Sequence, residues 1–266
     1  MNCELCSGQY ASWAIRGDGK SVVRCRKCGL MRLEIFPEPD EIAKWYSDEG
    51  YYSDSDIYGY DSSYLEYVEN RYNDENSWPF KLHEHIVGKG WISPKGKLLD
   101  IGCGAGLFSG CLKKLGWAVQ GVDMNPLSAE MASEYGLPVK VCAFENSGFS
   151  SDEFDLINAN DFIEHVTSPD EIFSEMERIL KKGGVLLLST MNGDRSILRR
   201  SNWSCFQSSY EHLWFFNGRS LRKISERHGF EVLQIRYIDL NPGWIRGYLF
   251  PLFGLGNIIQ VIARKK

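Results

Sequence analysis

The sequence, 266 residues long, lacks an uninterrupted apolar run of membrane-spanning length. Its one membrane-like stretch, 247–263, contains Pro251, Gly254, Gly256, Asn257 and Gln260, and falls short of the roughly 20 apolar residues that a spanning helix needs. It reads as a buried or interfacial segment. The opening residues Met1-Asn2-Cys3-Glu4 have neither a basic region nor an apolar core, so no secretory signal is legible and a cytoplasmic enzyme is expected. Basic residues are in deficit: 30 Lys and Arg stand against 35 Asp and Glu, a net charge of −5. That balance argues against a protein built mainly to embrace nucleic acid, whose phosphates call for a basic face. The chain also shows no internal repeat and no low-complexity tract. What it does have is 43% hydrophobic and 13% aromatic residues, enough for one domain of ordinary size with a sizeable core plus a small appendage.

The cysteines are not scattered. Four of the eight form Cys3-x2-Cys6 and Cys25-x2-Cys28, eighteen residues apart. Each pair suits a tight knuckle that turns two thiolates toward one tetrahedral ion, and the hairpin between them brings the knuckles together. Gly8 and Gly29 suit the adjacent turns. The expectation is a zinc ribbon over 1–36 whose ion is structural, since four thiolates leave no open coordination position. Cys103, Cys111, Cys142 and Cys205 lack such pairing and read as ordinary buried thiols.

After Pro37-Glu38-Pro39-Asp40, the segment to about residue 92 reads as helical, a lid or linker rich in Tyr, Trp and acids. From residue 93 onward, apolar strands expected at 97–101, 118–123, 138–142, 154–159 and 185–190 alternate with amphipathic helices. This is the pattern of an α/β, doubly wound, mostly parallel sheet covered on both faces. One crossover helix starts with Ser168 as N-cap, Pro169 at the first position and Glu171 completing a capping box; it places Ile172, Met176, Ile179 and Leu180 on one face and is expected to stop at Gly183-Gly184. A helix over 219–228, stopped by Gly229, and strands at 231–239 and 258–264 complete the reading.

Where the first strand turns into its helix stand Gly102, Cys103, Gly104, Ala105 and Gly106, preceded by Asp100. Glycine lets the backbone approach a ligand closely, and an open parallel sheet binds ligands at the carboxyl ends of its strands. The glycines alone are a weak signal, because Leu107 stands where a dinucleotide fingerprint needs glycine. Asp123, at the end of the second strand, sharpens it: a carboxylate there can accept both hydroxyls of a ribose. Asp100 as an acid capping nearby amides and Asp123 as a helix cap are the alternative readings of the pair.

These residues resemble the class I S-adenosylmethionine-dependent methyltransferases over about 97–264. The resemblance implies a Rossmann-like fold with a terminal antiparallel strand, here 258–264, and S-adenosylmethionine as cofactor. It implies that Asp100, Gly102, Cys103, Gly104 and Gly106 face the amino-acid and ribose part of that cofactor. Asp123 with Met124 would hold the ribose, Ala143 and Phe144 would line the adenine pocket, and Asn160 would complete the set. The whole chain resembles bacterial methyltransferases with a zinc ribbon ahead of the catalytic domain.

On the acceptor side, the run ending Asp161-Phe162-Ile163-Glu164-His165-Val166 resembles the fourth motif of that family. The run Tyr210-Glu211-His212-Leu213-Trp214-Phe215-Phe216 resembles the stretch near the acceptor. His165, whose ordinary pKa near 6.5 suits proton transfer at neutral pH, is the candidate general base, a role the resemblance to sugar C-methyltransferases implies, and Glu164 is its candidate partner. A second reading gathers a divalent ion at Asp161, Glu164, His165 and His212, as similar patterns do in quinone-precursor and small-RNA methyltransferases. A third makes Glu164 and His165 mere loop supports. Tyr51, Tyr52, His212 and Trp214 are candidates for the substrate wall, with Trp203, Phe215 and Phe216 as further candidates, although such aromatics are more often core. The run 249–255 reads as buried beneath the last strands, with weak membrane contact as the alternative. The acceptor expected is a small molecule, a sugar or a lipid-linked intermediate. Arg16, Lys20, Arg24, Arg26, Lys27 and Arg32 keep open an RNA methyltransferase using its ribbon, and a non-catalytic binding protein is the remaining alternative.

Overall fold

The 18-residue interval between the cysteine pairs is long enough for a hairpin, and it forms one. In the computed structural model, which describes residues 1–38, 40–42, 62–238 and 256–266, β1 (Tyr10–Ile15) pairs antiparallel with β2 (Ser21–Cys25), and β2 with β3 (Met31–Leu33). Val22, Val23, Met31 and Leu33 are buried. At about 1.5–3 kcal/mol for each fully buried side chain, these few residues give a small sheet little margin without further ties.

Helices α1 (Ser62–Asn73) and α2 (Trp78–Gly88) follow. In α2 a proline in the first turn is tolerated because its missing N–H would have no partner there, and Phe80, Leu82, His83 and Ile86 are buried. His83 accepts a hydrogen bond from the Trp117 indole at 3.0 Å, a structural role.

The α/β portion runs β4 (Lys97–Ile101), α3 (Leu107–Lys114), β5 (Ala118–Asp123), α4 (Pro126–Glu134), β6 (Val139–Val141), β7 (Phe154–Asn160), α5 (Pro169–Ile179) and β8 (Leu180–Met191). The short α6 (Ser196–Arg199) and α7 (Ser204–Ser208) then lead to β9 (Trp214–Phe215), α8 (Gly218–Arg227), β10 (Phe230–Ile238) and β11 (Ile258–Lys265). Seven strands form one mostly parallel sheet in the order β10-β11-β8-β7-β4-β5-β6, with β4 parallel to both β5 and β7 and β5 parallel to β6. Leu98, Leu99, Ile101, Leu156 and Ile157 are fully buried, as strands covered on both faces require. The last strand is inserted between β10 and β8 rather than added at an edge.

Two local expectations shift. Helix α5 ends at Ile179, and Gly183 and Gly184 lie inside β8 instead of stopping the helix; Gly183, at φ +77°, interrupts the strand's regularity. Helix α8 begins one residue early because Asn217 caps it reciprocally: its side chain accepts the Ser220 N–H at 2.8 Å, while Ser220 Oγ accepts the Asn217 N–H at 2.9 Å.

The chain folds as two compact units. One comprises Met1–Pro37, Asp161–Ser174 and Leu187–Ala263; the other comprises Glu38–Asn160, Glu175–Leu186 and Arg264–Lys266. In the first unit the small sheet gains a fourth strand, β9, with Met31 opposite Phe215 and Arg32 opposite Trp214. No helix among the described residues is long and apolar enough to cross a membrane. Tyr51, Tyr52 and the run 249–255 lie outside the described residues.

Candidate active site

The first cluster is built where β4, β5 and β6 end. Gly102, Gly104 and Gly106 all have positive φ, +64°, +50° and +78°, a backbone region that side-chain-bearing residues rarely adopt. The turn is pinned to the neighbouring strand, since the Gly102 N–H donates to the Val122 carbonyl at 2.8 Å. Gly104 donates its N–H to Asp123 Oδ2 at 2.9 Å, and Asn125 donates its own to Oδ1 at 2.9 Å. Burial pushes the Asp123 carboxyl above its ordinary pKa, against the pull of those amides. Met124 beside it is exposed, Ala143 is half-buried, and Phe144 is buried in the short turn after β6. Asn160 closes β7.

Asp100 has a different role from Asp123. It is buried, it accepts Asn158 Nδ2 at 2.6 Å on Oδ1, and Ser109 Oγ bonds Oδ2. Burial pushes it up to about 6, with the two side-chain hydrogen bonds opposing. Both oxygens are therefore engaged in tying β4 to α3 and β7. Cys103 packs over Gly121, where a Cβ would stand 2.7 Å from the thiol sulfur.

The second cluster follows β7. Asp161 sits at φ +47° with its N–H bonded to the Ser189 carbonyl at 2.9 Å. Three residues on, Glu164 is 1% exposed, and neither carboxyl oxygen has a hydrogen-bond partner among the described residues. Burial first, then the charges on Asp161 and Glu211, hold its pKa well above the ordinary carboxylate value. The His165 and His212 rings meet edge to face, centroids 4.7 Å apart. Burial lowers both imidazoles below their ordinary value, His212 also through His165 and Arg16, which keeps the rings neutral and able to accept a proton or a metal. One ligand atom each of Glu164, His165 and His212 lies within 4.8 Å of the other two. Asp161 is not in that group, so the expected four-residue set contracts to three.

Sequence reasoning missed three neighbours. Cys205 Sγ lies 3.1 Å from His212 Nδ1, Glu211 Oε1 lies 3.4 Å from His212 Nε2, and Arg16 donates to the His212 carbonyl. Glu211 sat inside a motif already singled out, whereas nothing in the sequence ties residues 16 and 205 to that loop. Trp214, expected at the substrate wall, is buried with its indole N–H on the Val166 carbonyl at 2.8 Å. Trp203, Phe206 and Phe215 pack edge to face as core.

The third cluster is the four cysteines, all buried. Cys6 and Ser7 turn back on the Cys3 carbonyl, and Gly29 on that of Cys25. Ser7 takes the left-handed position at φ +55°, and Gly8 is needed for space instead, since a Cβ there would lie 2.9 Å from Cys25 Sγ. The sulfurs of Cys3 and Cys28 stand 3.7 Å apart and those of Cys6 and Cys25 3.4 Å apart. Tetrahedral zinc with Zn–S of about 2.3 Å requires sulfurs roughly 3.8 Å apart. The residues fit the ion.

Comparison with known proteins agrees with this architecture. A methyltransferase-domain family model matches residues 79–235. Two curated relatives, both named ubiquinone biosynthesis O-methyltransferase, match part of the chain. That of Colwellia psychrerythraea is 28% identical over 160 residues, 55% of this chain and 65% of that protein; that of Bordetella avium is 27% identical over 192 residues, 64% and 75%. The chain thus spans less than two thirds of the Colwellia protein's length. A solved S-adenosylmethionine-dependent methyltransferase from Thermotoga maritima superposes with a TM-score of 0.54 at 21% identity, over 77% of this chain and 97% of that one. With three positive-φ glycines and a strand-end acid at the ends of β4 and β5, and a family model covering more than half of its length, the chain belongs to the methyltransferase-domain family.

Proposed function

We propose that this protein transfers the methyl group of S-adenosylmethionine to a hydroxyl of a small-molecule acceptor, with His165 as general base. The observation that carries the reading is the Glu164–His165–His212 group, with Glu164 and His212 buried and His165 half-buried, in a chain that also holds a cofactor-type glycine turn. When bound, the sulfonium supplies an electrophilic methyl carbon. Asp123 would accept the ribose hydroxyls, the glycine turn would lie against the amino-acid part, and Ala143 with Phe144 would border the adenine. His165, neutral because burial lowers its pKa, takes the hydroxyl proton as the acceptor oxygen bonds to the methyl carbon. The carbon–sulfur bond of the bound cofactor would then break with its electron pair on sulfur, which would leave neutral S-adenosylhomocysteine. The names of the curated relatives support oxygen as the acceptor atom.

A second reading rests on the same three side chains. Ligand atoms within 4.8 Å of one another suit a divalent cation, which would polarise the acceptor hydroxyl and make His165 a ligand rather than a base. Cys3, Cys6, Cys25 and Cys28 would hold a separate zinc whose contribution is structural.

The test begins with titration calorimetry against S-adenosylmethionine and S-adenosylhomocysteine, followed by assay of a panel of phenolic and sugar hydroxyl acceptors. His165→Gln is expected to bind cofactor as the parent does and to turn over about 10²–10⁴-fold more slowly. Full turnover in that variant removes His165 from the mechanism, and absence of cofactor binding by folded parent protein removes methyl transfer itself. Loss of turnover on treatment with EDTA, restored by magnesium or manganese, favours the cation reading.

A further inference from the structure

The N-terminal hairpin reaches the loop that carries His212. Arg16, the residue after β1, has its side chain fully enclosed although it only adjoins a small sheet. Asp18 grips the guanidinium through two contacts, one of them Nε to Oδ1 at 3.1 Å. The rest of the fork is directed at backbone: Nη1 donates to the His212 carbonyl at 2.8 Å, and Nη2 to the Tyr210 carbonyl at 2.9 Å. The Tyr210 ring lies 5.4 Å from the guanidinium carbon, and the Gly17 N–H reaches the Phe206 carbonyl at 2.8 Å. The two carbonyls held by Arg16 bracket Glu211. Just beyond them, the Leu213 and Trp214 N–H groups donate to the Glu164 carbonyl at 2.8 and 3.1 Å.

We infer that Arg16 is a positioning residue for the Glu164–His165–His212 group, holding the 210–212 backbone so that the His212 ring meets His165. This deepens the proposed function and rests on it. Burying a guanidinium is unfavourable unless its donors are satisfied, and closing a hairpin does not call for one aimed at carbonyls far along the chain. A planar fork also spans two carbonyls in a way that an ammonium cannot. The strands that carry Cys25 on one side and lead into Arg16 on the other are paired, Tyr10 opposite Cys25 and Ile15 opposite Ser21, so one hairpin carries both a member of the cysteine site and the residue that holds the histidine loop.

The experiment uses the full chain and the ring resonances of its five histidines, read in long-range ¹H–¹⁵N spectra, with His165 and His212 assigned through His165→Gln and His212→Gln. In Arg16→Lys and Arg16→Ala the His165 and His212 signals are expected to move while those of His83 and His228 stay. S-adenosylhomocysteine affinity should remain within about twofold, and turnover should fall about tenfold to a hundredfold, the loss that a small misplacement of reacting groups produces. Unmoved His165 and His212 signals in Arg16→Lys overturn the inference, and movement of all five rings does so too, since it marks a general structural role. Should Arg16→Ala fail to fold, Arg16→Lys and Asp18→Asn carry the measurement. Failure of the methyl-transfer reading would show separately, as absence of cofactor binding by the parent protein with the ring shifts still present.

Discussion

Asp123 receives the Gly104 N–H on one carboxylate oxygen and the Asn125 N–H on the other, each at 2.9 Å. The acid thereby sets the height of the glycine turn, and the Ser128 side chain and the Met124 N–H bond the same carboxylate. Replacing one oxygen with an amide nitrogen would set a donor against a donor. Asp123→Asn is expected to weaken S-adenosylhomocysteine binding by about tenfold to a hundredfold, the loss of a charge-assisted hydrogen bond of about 1.5–3 kcal/mol. Unchanged affinity by calorimetry would take Asp123 out of the cofactor site.

Gly121 makes room for Cys103. A methyl group at 121 would sit 2.7 Å from the thiol sulfur and 3.0 Å from a Val139 methyl. Gly121→Ala should therefore cost about 1–3 kcal/mol of unfolding free energy, as overpacking does. Pairing it with Cys103→Ala should return much of that loss. Additive effects in the denaturation cycle would show that the two positions do not share the strain.

The four-cysteine site predicts about one zinc per chain. Cys25→Ser should lose the ion and lower the melting temperature, because the sulfur opposite Cys6 is removed from a sheet with few apolar residues of its own. A folded, cooperatively melting parent protein with four titratable thiols and no zinc by elemental analysis would refute the assignment.

Asp100 predicts a pH dependence of stability. Burial raises its carboxyl from 3.8 to about 6, so the protonated form is favoured in the folded state. That contribution is fully present below about pH 4 and is lost as pH rises through about 6. Raising the carboxyl from 3.8 to about 6 corresponds to about 3 kcal/mol. In urea unfolding, the stability of the parent relative to Asp100→Asn should decline between about pH 4 and 6 and level off above about 7. A difference that stays flat across this window would mean that the carboxyl ionises as it does in the unfolded chain.

Much of this protein was legible in its sequence. The strand at 97–101 and that at 118–123 fall where the apolar runs placed them, because a strand buried on both faces needs a short apolar segment wherever it occurs. Two Cys-x2-Cys pairs a hairpin apart converge because local turn geometry brings them together. The glycines of the turn carry positive φ, a requirement of the backbone itself.

The tertiary structure decided the rest. Asp100 and Asp123 stand at similar places on neighbouring strands, yet packing turns the first inward onto Ser109 and Asn158 and leaves the second on the turn. It brought His212 to His165 and left Asp161 out of the metal-spaced group. It also set Arg16 on carbonyls nearly two hundred positions away. Sequence encodes periodicity and local turns, whose partners are a few residues apart. Which polar side chain meets which distant carbonyl depends on how buried donors and acceptors are satisfied together, and only the packed chain settles that.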